Sequence, residues 1–150
     1  MQDRIYHGSA ALFDSFSLAD AGRLSGASNG ALGVWVTPDP AIASNFPGEG
    51  PGYLYELAAA EGGIMQVPLA WLRARHEDAG ELEATDSISA AVDFYDRIRL
   101  SLISEGYAQL WIMEDGGAPT RVLLDPDKVE ILCVRELPAH NPVCEPEMAF

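Results

Sequence analysis

Apolar and polar positions alternate in short stretches along this chain and keep a helical spacing in one long stretch. Arg4-Ile-Tyr-His7 is short and β-prone and predicts a first strand. Ser17-Leu-Ala-Asp20 has the form of a capping box with Asp in place of Glu, opening a short helix that ends near Leu24. Ser25 to Gly33 is rich in Gly and Ser and predicts a flexible loop. Val34-Trp-Val-Thr37 predicts a second strand. Asp39-Pro40 then supplies an N-cap and a first-turn proline for a short helix, Ala41 to Phe46. Pro47 to Gly52 breaks the chain.

Tyr53 to Leu57 and Gly63 to Val67 read as strands joined by a turn, and Pro68 to Arg75 as a helix. The polar, acidic stretch His76 to Ala84 reads as a surface loop. Asp86 is placed to cap the longest helix. Its apolar residues Ile88, Ala91, Val92, Tyr95, Ile98 and Leu102 share one face, and Gly106 stops it. Tyr107 to Met113, Arg121 to Leu124 and Val129 to Val134 complete the strands, with a turn at Gly116-Gly117. The tail after Pro138 is Pro-rich and acidic and is expected to fray. Helices and strands mix without regular βαβ alternation, which predicts an α+β fold in a single domain spanning 1–150.

Composition narrows the function classes. Of the 150 residues, 48% are hydrophobic, enough to bury a core. No apolar run reaches the ~18 residues of a membrane span, and the N-terminal residues lack the pattern of a signal peptide. A cytoplasmic location is therefore expected. The net charge of −14, with nine Lys and Arg spread along the chain, disfavours nucleic acid, and no membrane association is expected. It suits a basic protein partner or simply solubility. Cys133 lies in the apolar run Val129-Glu-Ile-Leu-Cys-Val and reads as a small core residue. His7, His76 and His140 show no ligand spacing, so no metal site is expected.

Two segments carry a more specific pattern. One is Tyr6-His7-Gly8-Ser9 at the end of the first strand; the other is Gly33-Val-Trp35-Val-Thr37 followed by Asp39-Pro-Ala-Ile-Ala-Ser-Asn-Phe46. In order and separation they resemble the diphtheria-toxin and poly(ADP-ribose)-polymerase branch of the ADP-ribosyltransferases. That branch has a His-Gly-Ser/Thr strand, then Gly-x-Tyr-Phe and a helix with a second aromatic eleven residues after that tyrosine; Trp35, in place of the tyrosine, and Phe46 have that spacing here. Gly106-Tyr-Ala-Gln-Leu, Val122-Leu-Leu-Asp125-Pro126 and Val129-Glu-Ile-Leu also resemble the closing strands of small bacterial and phage members.

The resemblance implies a split β-sheet or β-sandwich core with short flanking helices and NAD bound, as substrate, in the gap. His7 would hydrogen-bond a ribose hydroxyl, Gly8 would meet the nicotinamide carboxamide through its backbone, and Ser9 would reach the adenosine side. Trp35 and Phe46 would stack on the nicotinamide ring, or else serve as core. The implied activity is mono-ADP-ribosyl transfer to a protein or other acceptor, with nicotinamide released. Alignment places Thr120 where active members carry a Glu. A threonine supplies no negative charge, which argues against chain elongation, and Glu114 or Asp115 would be the acid under another register. Ala43 stands where a carboxamide-binding serine is common. These departures keep two alternatives open: a domain that binds NAD or ADP-ribose without catalysis, and an interaction domain without a ligand.

Overall fold

The computed structural model describes residues 4–9, 12, 16, 28–44, 52–58, 61–114 and 119–137. The helix expected over 17–24, the turn at 116–117, the tail after 138 and Phe46 lie outside them. The described residues form an α+β fold of two sheets and three α-helices. By contacts the chain divides into two compact units. One comprises Met1–Phe16, Val36–Ala60 and Lys128–Phe150; the other comprises Ser17–Trp35 and Glu61–Asp127.

The first unit is built on a three-stranded antiparallel sheet in the order β1-β3-β7, from β1 (Arg4–Ser9), β3 (Gly52–Ala58) and β7 (Glu130–Leu137). Ile5, Tyr55 and Leu57 are fully buried, and their cross-strand pairing sets the register: Ile5 faces Leu57 and His7 faces Tyr55. Tyr6 exchanges two backbone hydrogen bonds with Thr37, at 2.8 and 3.0 Å. The short helix α1 (Pro40–Ala43) opens as its sequence predicts. Asp39 is extended and its carboxylate accepts from the Ala41 amide, with Pro40 in the first turn. Cys133 is buried on β7 as expected, and it is disulfide-bonded, which its sequence context does not reveal.

The second unit carries a four-stranded sheet in the order β2-β6-β5-β4. Its strands are β2 (Val34–Val36), whose last residue is counted with the first unit, β4 (Gly63–Pro68), β5 (Tyr107–Met113) and β6 (Thr120–Leu123). Strand β4 runs parallel to β5. Parallel neighbours need a long crossover, here α2 (Leu69–Thr85) and α3 (Ile88–Ser104). Ala91, Val92, Tyr95 and Leu102 of α3 pack with Leu110, Ile112 and Val122 of the sheet and with Leu72 and Ala79 of α2. A 3-10 helix, Ser28–Leu32, within the stretch expected to be loop, adds Ala31 and Leu32 to the same core.

Three expectations are corrected. Residues 76–84 are not a loop: α2 continues through them to Thr85. Good helix formers and the absence of proline support it, while its buried positions, Leu72 and Ala79, stand too far apart to show as a periodic stripe. Asp86 closes α2, and Ser87 is the N-cap of α3, accepting from the Ala90 amide at 3.1 Å. The strands at 53–57 and 63–67 do not pair with each other; they belong to different sheets.

Tyr95 is fully buried, yet its hydroxyl lies 2.7 Å from His76 Nδ1 on α2. Burial holds its proton and raises its pKa to about 12, with Arg75 opposing and Asp78 adding slightly. The unfolded chain releases this proton near 10.0, so at higher pH the folded state binds more protons and stability falls as pH rises from there through about 12. Ultraviolet titration is expected to show one tyrosine ionising near pH 12, absent in Tyr95→Phe, and that variant is expected to lose about 1 kcal/mol at neutral pH.

Gly33 has φ +152° and touches the neighbouring strand: a Cβ there would lie 2.4 Å from the Leu123 carbonyl oxygen and 2.7 Å from Val122 Cγ1. Gly80, inside α2, has nothing within 4 Å. Gly33→Ala is therefore expected to destabilise by roughly 2 kcal/mol or more. Gly80→Ala is expected to stabilise by about 0.5–1 kcal/mol. Urea unfolding of the two variants checks both signs.

Candidate functional site

Each predicted site residue takes its place from one of the two units. His7, Gly8 and Ser9 stand on β1 in the first; Trp35 on β2 and Thr120 on β6 stand in the second. Phe46 lies outside the described residues.

On β1, Gly8 is buried and His7 and Ser9 are half-buried. The His7 ring meets Phe16 edge-on at 5.1 Å and is tilted against Tyr55 at 6.1 Å, and Phe16 and Tyr55 meet at 5.6 Å. The imidazole is thus held by an aromatic cluster that restricts its orientation. Side chains alternate across a strand, so the register extends the face that carries His7. Ser9 lies opposite Tyr53, and Tyr53 opposite Glu136 of β7. This row of hydroxyl, phenol and carboxylate shares the face of His7. Tyr53 is half-buried and Glu136 is exposed. Two strand spacings, roughly 10 Å, separate the outer members of the row. Glu136 escaped the sequence reading because the expected strand stopped at Val134, and only the pairing with β3 brings it beside Tyr53.

In the second unit, Trp35 packs against the core at its edge, and its indole Nε1 donates to the Asn29 carbonyl at 3.0 Å. Trp35 therefore ties β2 to the 3-10 helix. Thr120 opens β6 opposite Ile112. Its hydroxyl donates to Glu114 Oε2 at 2.8 Å. The pair brings a carboxylate to the position where the alignment left only a threonine. Ala43 is fully buried at the end of α1.

A third arrangement was not anticipated. On the sheet face away from α2 and α3, Trp111 of β5 lies opposite Arg121 of β6. The guanidinium sits 4.2 Å from the indole ring centre, and Trp111 Nε1 donates to Gln109 Oε1 at 2.8 Å. The alternation Gln109-Leu-Trp111-Ile-Met113 separates Trp111 from the core residues Leu110 and Ile112, a signal present in the sequence.

Among the described residues, no group of three or more His, Cys, Asp or Glu could hold a metal ion. No helix among them is long and apolar enough to cross a membrane.

No family model matches the chain, and no curated protein matches it. It is similar to a solved structure reported as "Crystal structure of an anti-CRISPR protein", with a TM-score of 0.44 and 16% identity over 88% of this chain and 96% of that one. A likeness at that level carries no argument about function.

The indole bond of Trp35 separates packing from hydrogen bonding. Trp35→Phe keeps most of the ring contact and removes the donor to Asn29. A loss of about 1 kcal/mol in chemical unfolding is expected.

Proposed function

We propose that this chain is an NAD-dependent mono-ADP-ribosyltransferase with the split-sheet core of that superfamily. It would act in the cytoplasm on a protein or other macromolecular acceptor. The observation that carries the reading is the face of the β1-β3-β7 sheet, on which His7, Ser9, Tyr53 and Glu136 stand together.

The chemistry needs a group that holds the nicotinamide ribose and negative charge near C1′ as the glycosidic bond breaks. Nicotinamide leaves with the bonding electron pair, and the ribose carbon becomes oxocarbenium-like. An acceptor nucleophile then bonds to C1′ and releases its proton. His7, oriented by Phe16 and Tyr55, suits a hydrogen bond to a ribose hydroxyl. Gly8 offers backbone groups with no Cβ to hold a ligand away. Glu136 supplies the carboxylate that Thr120 lacks, and stabilising developing charge in this way is commonly worth a factor of about 10²–10⁴ in rate. Glu114, hydrogen-bonded to Thr120, is the other acid available for this role. Trp35 and Phe46 remain the candidates for stacking on nicotinamide. The net charge of −14 favours a basic protein acceptor over nucleic acid.

A second reading is a module that binds NAD or ADP-ribose, or a protein partner, without catalysis. It is favoured by the bonds that Trp35 and Thr120 already make to Asn29 and Glu114, which occupy their donors within the fold.

Calorimetric titration with NAD, with nicotinamide release followed in the same samples, tests both readings. His7→Ala and Trp35→Ala are expected to weaken NAD binding about tenfold or more, which corresponds to ~1.4 kcal/mol. Glu136→Gln is expected to keep binding and slow release by about 10²-fold or more. Binding without release by the wild type would support the second reading. No binding at millimolar NAD would sink the assignment of His7, Gly8, Ser9 and Trp35 to a nicotinamide dinucleotide.

A further inference from the structure

Arg121 is a half-buried cation in a chain with 23 acidic residues and nine Lys and Arg. Arg75 likewise lies over an aromatic ring, 4.7 Å from the centre of Trp71, and the Nε of Arg99 is also buried without a partner, but two other arginines have polar partners. Arg4 contacts Glu56 at 3.0 Å; Arg99 donates to Asp96 at 2.8 Å and to the Leu124 carbonyl at 3.3 Å. Among the described residues, Arg121 has no carboxylate and no hydrogen-bond acceptor. It stacks on Trp111, and its Nε is buried without a partner. A buried donor left unsatisfied is costly, more so where the group is charged. Among the described residues no acid of the sheet relieves that cost: Glu114 is held by Thr120, which lies opposite Ile112 and so belongs to the other face.

The surroundings suit an anion. Gln66 of β4 is exposed opposite Trp111, so Gln66, Trp111 and Arg121 form one row across three strands. The contact with the indole holds the guanidinium in place and supplies no hydrogen-bond acceptor of its own. A planar fork of N–H donors matches the oxygens of a phosphate group, and the match is bidentate. We propose that Arg121, held by Trp111 and flanked by Gln66, is a binding site for a phosphate-bearing anion, which gives Nε the acceptor it lacks. Entry needs a side-chain adjustment, and Gln66 is the exposed neighbour with room to make it.

Calorimetry with inorganic pyrophosphate and, separately, ADP at constant ionic strength tests the site, with circular dichroism to check that each variant is folded. The wild type is expected to bind pyrophosphate in a saturable one-to-one reaction. Arg121→Gln is expected to raise Kd about tenfold or more. Arg121→Lys keeps the charge and loses the fork; it is expected to weaken binding severalfold, and it decides the question if the Gln variant fails to fold. Tighter binding of ADP would identify a nucleotide as the source of the phosphate, and equal binding a free phosphate anion. Absence of saturable binding to the wild type, or an unchanged Kd in a folded variant, overturns the site. ADP is itself part of NAD, so His7→Ala is titrated alongside: pyrophosphate binding weakened by Arg121→Gln and unchanged in His7→Ala separates this site from the NAD-consuming reading, and loss in His7→Ala alone overturns it.

Discussion

The larger unit is organised around the hydroxyl of Tyr95. Parallel pairing of β4 and β5 demands a crossover, and the chain supplies two helices that must pack on one sheet face. Placing Tyr95 in the centre of α3 fills that core with a large ring, while its phenolic oxygen must still find a partner. His76 provides one from α2, and the Phe94 ring packs edge-on against that of Tyr95 at 5.4 Å. This contact selects how α2 lies on α3, because few relative placements bring an exposed face of α2 within hydrogen-bond reach of a buried phenol. It also explains why α2 persists through a stretch as polar as 76–84. That stretch has little apolar surface of its own to bury, and it is anchored at Leu72, His76 and Ala79.

Close backbone approach completes the unit. Gly33 sits against the Leu123 carbonyl just before β2 begins, a spacing that admits no side chain. The smaller unit follows a different logic. Its sheet draws strands from three distant parts of the sequence, and all its pairings are antiparallel. Long-range pairing of this kind is costly to nucleate. Its register rests on the buried residues Ile5, Leu57 and Tyr55 rather than on a hairpin turn. The same register lines up His7, Ser9, Tyr53 and Glu136, so the packing that stabilises the sheet also positions its candidate chemistry.

Among the described residues cations are held in two ways, by carboxylates and by aromatic rings, the latter at Arg75 over Trp71 and at Arg121 over Trp111. Arg4 and Arg99 are paired with carboxylates, as a chain so rich in acids readily permits. Arg121 is held by an aromatic ring instead. A cation–π contact fixes orientation without supplying an in-plane acceptor, and the guanidinium keeps its capacity for an oxyanion. His7 shows a related device: aromatic neighbours restrain the ring by packing. Trp35 shows the converse, since its donor is already engaged by Asn29.

Local patterns determined much of this protein. The α+β class, β1, the Asp39-Pro40 helix start, the apolar face of α3, its end at Gly106 and the alternation of β5 all follow from spacing and capping chemistry over a few residues. The strand that carries His7, Gly8 and Ser9 was legible in the sequence, whereas the aromatic contacts of His7 were not. Tertiary structure decided the rest. Residues 76–84 are helical because α3 offers His76 and Ala79 a surface to meet, which no local period records. Strands β3 and β4, close in sequence, went to different sheets because their pairing partners are remote. Glu136 joined the row of Tyr53, and Glu114 met Thr120, through cross-strand register. Short-range order is encoded in neighbouring side chains, whereas register and sheet membership depend on which distant surfaces bury each other.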